Sequence, residues 1–171
     1  NYLAPRLGTT ASALLVDRDP AWERVEADLA MASGAWQQAL DSYEGLLDAT
    51  KDRGVAAEMR AAIAECLCRL NRSREAIRPA TEAVESFTAL GRSADVPHAE
   101  YWLASAYYQS ENLDGARSIV TALMDRVRDG ARLAPDFHVR LLVSAAMIET
   151  ASGHASQALA RHADVFSPGR R

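Results

Sequence analysis

The sequence predicts an all-α fold, a superhelical array of four antiparallel helical hairpins over residues 20–166. Three observations support this. Alanine makes up about a fifth of the 171 residues while glycine and proline are sparse, a composition that favours helix. Apolar residues recur at helical spacing between short polar turns. The same hairpin pattern occurs four times, at about 20–54, 55–91, 97–130 and 135–166.

The clearest hairpin lies in residues 101–120, YWLASAYYQSENLDGARSIV. The pattern predicts the end of one helix, a polar turn at 109–112, and a second helix running back beside the first. Alanines at 104 and 116 would let the two backbones approach closely, because a methyl group needs little room between helices. We expect this hairpin to bury Leu103, Ala104, Tyr107, Leu113, Ala116 and Val120.

In the first hairpin, a helix is predicted over 20–33, with a break at Gly34 and a return helix over about 36–52 that Gly54 closes. One face of the leading helix carries Trp22, Val25, Leu29 and Ala30. The inward positions of the return helix are Trp36, Ala39, Leu40, Tyr43, Leu46 and Leu47.

The second hairpin is predicted as helices over 55–70 and 73–90, with Asn71 as a left-handed cap between them. Pro79 should bend the return helix or loosen one turn, since it lacks an N–H and its ring opposes a straight helix. The inward positions are Met59, Ile63, Ala64 and Leu67, then Ala76, Ile77, Ala80, Ala83, Val84 and Phe87.

Glycine and proline mark the last two hairpins. Gly91 closes the second hairpin, and Pro97 suits the first turn of the third leading helix. The return helix from Leu113 should end near Gly130. Pro135 should open the fourth leading helix, Gly153 should end it, and a last helix over about 156–166 should precede a tail at 167–171.

Aligning the four turns places small residues in two columns. One column holds Ala39, Ala76, Ala116 and Ala158, and a second, twelve positions earlier, holds Ala27, Ala64, Ala104 and Ala146. The turns themselves align at Gly34, Asn71, Glu111 and Gly153.

This pattern resembles the tetratricopeptide repeat (TPR), whose unit is a helix–turn–helix of about 34 residues. Leu103, Ala104, Tyr107 and Ala116 match that family in the third hairpin, and Ile63, Ala64, Leu67, Ala76 and Ala83 match it in the second. The end units depart from it. Glu26 stands where an apolar residue belongs, and Glu149 stands in the Tyr position. The repeat spacings exceed 34, so we expect longer helices or connections.

Residues 1–19 resemble the closing segment of XRE-type helix-turn-helix domains. Pro5 departs from that pattern, and an N-terminal helical cap on the array is the alternative. The resemblance implies a transcription regulator whose DNA-reading helix lies upstream of Asn1, so that this chain would be a fragment touching DNA only through that domain. The residues that match are Leu3, Ala4, Leu7, Gly8, Thr9, Leu14 and Leu15.

No catalytic pattern emerges, so we expect neither an enzyme nor a cofactor. The four histidines lack metal-site spacing, Cys66 and Cys68 have no second cysteine pair, and there is no glycine-rich phosphate loop. A formal charge of −4 argues against a nucleic-acid surface on this segment. No apolar run predicts a membrane span. Two cysteines that cannot pair with each other favour a reduced, cytoplasmic setting.

The TPR resemblance implies a concave groove lined by leading-helix residues that face away from the return helix. A basic carboxylate-binding set is not evident, since Asp28, Glu58 and Glu65 offset Arg24 and Arg69. The implied positions are Arg24, Asp28, Met31, Glu58, Glu65, Cys68, Arg69, His98, Tyr101, Ser105, Tyr108, Gln109, Arg140, Met147 and Thr150.

The third hairpin supplies the most distinctive groove residues, because Tyr101 and Tyr108 with neighbouring donors could hold an extended or helical peptide. Alternatively, both tyrosines pack between repeats, and Trp102 belongs to either groove or core. Two functions follow. One is the effector-sensing domain of a regulator, which binds a peptide or protein and is a possible homodimer. The other is an interaction scaffold without a DNA role.

Overall fold

The computed structural model describes residues 20–131 and 134–153, which form seven α-helices and no strand. The helices pair as three antiparallel hairpins, α1–α2, α3–α4 and α5–α6, followed by the leading helix of a fourth. Residues 1–19, the helix predicted at 156–166 with Ala158, and the tail lie outside the described residues. The helices are α1 Pro20–Ser33, α2 Trp36–Ala49, α3 Arg53–Arg69, α4 Ser73–Ala89, α5 Val96–Gln109, α6 Leu113–Arg128 and α7 Pro135–Ala151.

Small residues lie where the two helices of each hairpin approach most closely. In the return-helix column, Ala39, Ala76 and Ala116 are fully buried. In the leading-helix column, Ala27, Ala64 and Ala104 are at most 2% exposed, and Ala146 of the incomplete fourth hairpin is half-buried. The predicted register of the hairpins is therefore confirmed wherever both helices are described.

The turn column is held in the left-handed backbone conformation at all four aligned positions. The φ angles are 80° at Gly34, 58° at Asn71, 67° at Glu111 and 78° at Gly153. In the third hairpin the Asn112 N–H donates to the Tyr107 carbonyl at 2.9 Å and the Glu111 N–H to the Tyr108 carbonyl at 3.1 Å, the bond pair of a Schellman motif. The left-handed cap predicted at Asn71 is confirmed.

Stacking of each leading helix on the preceding hairpin forms the second kind of interface. Equivalent positions Met59, Ala99 and Leu141 are completely buried there. About two turns further along the helices, Cys66 and Ala106 are also completely buried, and Ile148 is 3% exposed.

The apolar face expected on α1 is exposed rather than buried. Trp22, Val25 and Leu29 are 60%, 53% and 67% exposed. Of the four residues expected on this face Ala30 alone is buried, and α1 is buried through it and Ala27. Trp22 and Leu29 occupy the same repeat positions as Met59 and Cys66. Met59 and Cys66 are buried because α3 packs on the hairpin before it, whereas no such hairpin precedes α1 among the described residues.

Two other expectations from the sequence were wrong in detail. Gly54 does not close the first hairpin, since α2 ends at Ala49 and Gly54 lies in the first turn of α3. The boundary is set by Asp52, whose Oδ1 accepts hydrogen bonds from the N–H groups of Gly54 (2.7 Å) and Val55 (2.9 Å). Several positions expected inside are only half-buried, namely Trp36, Leu47, Ile77, Val84, Tyr107 and Leu113.

The prolines lie as expected in the leading helices. Pro97 and Pro135 occupy the first turns of α5 and α7, where a missing N–H costs little. Pro79 lies inside α4, which nevertheless continues as one helix from Ser73 to Ala89.

The two equivalent positions Met59 and Trp22 make a test of the stacking interface. Met59→Ala should lower the free energy of unfolding by about 2–5 kcal/mol, because it leaves a cavity in a fully buried site. Trp22→Ala removes a larger side chain, but one that is mostly exposed, and should cost about 1 kcal/mol or less. Urea denaturation of both variants measures the difference. Equal losses of unfolding free energy in the two variants would show that Trp22 is packed against another element as Met59 is.

Glu111 offers a test of the turn column. A side chain with a Cβ is strained at φ 67°, whereas glycine is not. Glu111→Gly should therefore raise the free energy of unfolding by up to about 1 kcal/mol. Glu111→Ala is the matched control, since it removes the same side chain but keeps the Cβ, and it should give no gain. A gain in both variants would assign the effect to charge instead of backbone conformation.

Candidate functional site

An open cavity of about 430 Å³ lies among the C-terminal end of α3, α5 and α7, with Val120 of α6 at its floor. We call it the α3–α5–α7 cavity. It is lined by Cys68, Arg69, Asn71, Tyr101, Trp102, Ala104, Ser105, Tyr108, Gln109, Val120, Arg140, Ser144, Met147 and Ile148.

Eight of the groove positions expected from the sequence line this cavity. Helical spacing explains the set on α5, because Tyr101, Ser105 and Tyr108 follow one another at intervals of four and three and so share a face. Repeat geometry adds Cys68, which occupies the position of Tyr108 one repeat earlier. The eight are Cys68, Arg69, Tyr101, Ser105, Tyr108, Gln109, Arg140 and Met147.

Tyr101 both packs between repeats and lines the cavity, so the two alternatives considered for it are both realised. Its ring meets Trp102 edge-on at 5.1 Å and Phe137 of the next repeat at 5.5 Å. Trp102 is only 4% exposed and is therefore part of the core, with one edge at the cavity. Its indole Nε1–H donates to Nε2 of His98 at 3.3 Å.

Two arginines lie over these aromatic rings. The guanidinium carbon of Arg140 is 5.0 Å from the centre of the Tyr101 ring, 5.5 Å from that of Phe137 and 5.9 Å from that of Trp102. The guanidinium of Arg69 is 5.2 Å from the ring centres of both Trp36 and Trp102. Cation–π attraction thus positions both side chains from two different repeats against one aromatic cluster.

The N-terminal groove residues form a separate, self-paired group. Arg24 bonds Glu58 at 3.1 Å, and Arg92 bonds the other oxygen of Glu58 at 2.7 Å. The Tyr43 hydroxyl donates to Asp28 at 2.7 Å, and burial together with this bond raises the pKa of Tyr43 above its ordinary value. These residues tie the first two repeats together and do not line the α3–α5–α7 cavity.

The remaining expected positions flank the cavity or lie elsewhere. Met31 is half-buried beside the Cys66 sulfur, at 3.8 Å. Glu65 is half-buried and pairs with Arg69 at 3.5 Å. His98 lies beside Trp102 and Phe137. Desolvation, together with the charge of Arg140, lowers the pKa of its imidazole against the opposing charge of Glu65. Thr150 is exposed and bonds the Ala146 carbonyl.

The thiols are inert where they lie. Cys66 and Cys68 are both buried and unpaired, and burial raises the pKa of each to about 12, which disfavours the reactive thiolate. Within residues 20–131 and 134–153, no group of three His, Cys, Asp or Glu side chains is placed to hold a metal ion. Over the same residues, no helix is both long and apolar enough to cross a bilayer.

Sequence reasoning missed part of the cavity lining. Ser144 and Ile148 follow Arg140 at intervals of four on the same helix, so helical spacing could have identified them. Asn71 was recognised only as a turn residue. Ala104 and Val120 were expected purely as core, and nothing in the sequence indicates that the core is reached from solvent at this point.

No protein-family model matches the sequence, and neither does any curated protein. Among the solved structures that resemble the fold are two with TM-scores above 0.6. BtubC (BKLC) from P. vanneervenii superposes with a TM-score of 0.71 at 19% identity, over 91% of this chain and 70% of that one. A TPR-like protein from Chlorobium tepidum superposes with a TM-score of 0.61 at 19% identity, over 81% of this chain and 97% of that one. The predicted all-α, TPR-like superhelical array is thereby confirmed.

Proposed function

We propose that this chain is a binding domain, not an enzyme, and that it holds a peptide segment of its partner in the α3–α5–α7 cavity. The proposal rests on one observation: aromatic rings and side chains without a hydrogen-bond partner lie together in one open cavity. TPR-like arrays present such a concave surface because each hairpin leaves one face of its leading helix free of packing.

The polar groups at the cavity are available to a partner. The side chains of Ser105, Tyr108, Gln109 and Ser144 make no hydrogen bond to any other described residue. Together they offer hydroxyl and amide donors and acceptors, which match the backbone of an extended or helical peptide. The N-terminal groove contrasts with this, because Arg24, Asp28 and Glu58 already satisfy one another.

The aromatic side chains supply the apolar part of the site. Tyr101 and Tyr108 are both half-buried, so each presents part of its ring to the cavity in the folded protein. Tyrosine contributes contact area at low entropic cost and carries a polar tip, the property that makes it frequent in binding sites. A volume of about 430 Å³ accommodates one or two peptide side chains.

Tyr108→Ala should weaken binding by about 10-fold or more, since it removes one aromatic wall of the site. Peptides selected on a random-sequence peptide array would serve as probes, with affinity measured by fluorescence anisotropy. The melting temperature should change far less than removal of a fully buried aromatic residue would cause.

Tyr107→Ala is the matched control, because Tyr107 is also half-buried but lies outside the cavity lining. It should leave peptide affinity unchanged. Equal weakening by the two variants, or failure of the wild-type chain to bind any peptide, would contradict the proposal.

We further propose that the domain serves as the effector-sensing part of a cytoplasmic transcription regulator. The support is the resemblance of residues 1–19 to the end of an XRE-type DNA-binding domain, and two buried free thiols suit a reducing compartment.

The full-length protein should then shift a DNA fragment in a gel while residues 20–166 alone should not. A full-length protein that binds peptide but not DNA would favour an interaction scaffold. We propose homodimerisation as a second role in either case, which sedimentation of the protein would test.

A further inference from the structure

Exposed apolar side chains are concentrated at the two ends of the described array. Among the described residues eight large apolar side chains are exposed, and six of them lie on α1 and α7. Single exposed apolar residues are ordinary on a protein surface, but several together mark an interaction site. The end repeats of a soluble solenoid carry a polar outer face instead. The six residues are Trp22, Val25 and Leu29 on α1, and Val139, Val143 and Met147 on α7.

The exposed residues of α1 occupy the positions by which a leading helix stacks on the hairpin before it. In α5 the same three positions are at most 4% exposed, because α5 packs there on the second hairpin. Among the described residues no hairpin precedes α1, so its stacking face is presented to solvent. The aligned residues of α5 are Ala99, Trp102 and Ala106.

Two exposed residues of α7 occupy the positions by which a leading helix receives the next repeat. Val139 and Val143 align with Ala57 and Ala61 of α3. Those alanines are 0% and 7% exposed, because they pack in one apolar cluster with Ala99 of α5. The described residues include no fifth leading helix, so α7 presents its receiving face to solvent.

The two end faces therefore correspond to the two sides of a contact that already exists inside the chain. Trp22 holds the repeat position of Ala99, and its counterparts on α7 hold the positions of the two alanines that Ala99 meets. The same position is filled by Met59 and Leu141 at the other internal interfaces, and both are completely buried. The contact thus accepts large apolar side chains, and all six end residues are apolar, so pairing the two faces would remove apolar surface from water.

We propose that the chain self-associates head to tail, with α1 of one copy stacking on α7 of the next. The proposal concerns the α7 part of the receiving face, since the fourth return helix lies outside the described residues. Each copy contributes two different surfaces, so the contact does not close a symmetric dimer, and the assembly grows with concentration unless it closes into a ring. This inference rests on the proposed self-association, whose surfaces it specifies, and it does not depend on peptide binding.

Two variants, each blocked at one end, test the direction of stacking. Trp22→Glu places a charge on the α1 face and Val143→Asp places one on the α7 face. Both side chains are exposed in the single chain, so each variant should fold with nearly the wild-type melting temperature. In sedimentation velocity from micromolar to millimolar concentration, the wild-type chain should grow past the dimer, whereas each variant alone should stay monomeric.

An equimolar mixture of the two variants should form dimers and nothing larger. The intact α7 face of Trp22→Glu receives the intact α1 face of Val143→Asp, and the two remaining faces of that dimer are blocked. Val55→Asp is the matched control, because it makes the same substitution at an exposed valine of α3 outside both end faces. It should associate as the wild-type chain does. Loss of association in this control would assign the effect to added charge and overturn the proposal.

Trp22→Ala removes the indole ring without adding a charge. It should weaken association by about 10-fold or more, because a buried tryptophan at the centre of an interface supplies much of the binding energy. The small loss of unfolding free energy expected for the same variant is that of the dissociated chain, in which Trp22 is exposed. Unchanged association of Trp22→Ala would contradict a contact through α1.

The other occupants of the end faces give different results. A mixture of the two blocked variants that stays monomeric would overturn head-to-tail stacking. A blocked variant that still dimerises by itself would show a symmetric contact, which keeps the proposed homodimerisation and rejects stacking of α1 on α7. A wild-type chain that stays monomeric at every concentration would reject both. Peptide affinity, measured on Tyr108→Ala and Tyr107→Ala, separately decides the peptide-binding function.

Discussion

The structure depends on the requirement that each leading helix bury one face against the preceding hairpin. A single hairpin cannot bury this face by itself, since its own return helix covers a different one. Met59, Ala99 and Leu141 show the requirement satisfied, because each is completely buried at the same repeat position. Trp22 shows it unsatisfied among the described residues, at 60% exposure. The array therefore derives its stability from contacts between neighbours.

This packing leaves a third face of each leading helix free, and that face is where the groove residues lie. Their chemistry differs along the array. At the N-terminal end, Arg24, Glu58 and Arg92 form a continuous ion-paired chain that connects the first repeats. Around α5 and α7 the same face carries aromatic rings, unbonded polar groups and the guanidinium of Arg140. One repeat geometry thus produces an ion-paired surface in one half and the proposed binding surface in the other.

The sequence predicted those features that repeat, because periodicity is a local property. The alanine columns established the hairpin register, and the left-handed cap predicted at Asn71 is present; the alignment placed Glu111 at the same turn position, where the backbone is left-handed too. What the sequence could not predict depends on neighbours. The exposure of Trp22 depends on whether another element packs on α1, and the position of Arg140 over Tyr101 and Trp102 follows from the distance between repeats. The prediction that Gly54 closes the first hairpin failed for a different reason, because glycine also fits the first turn of a capped helix.

Trp102 connects the core of the array to the α3–α5–α7 cavity. Its indole is almost fully buried, yet the guanidinium groups of Arg69 from the second repeat and Arg140 from the fourth both lie over its ring. The cavity consequently draws its walls from three successive repeats, and its shape depends on how those repeats stack. A ligand that binds only the folded array stabilises it in proportion to its affinity and concentration. Because the walls belong to separate repeats, that stabilisation acts on the interfaces between repeats, the same contacts from which the fold derives its stability.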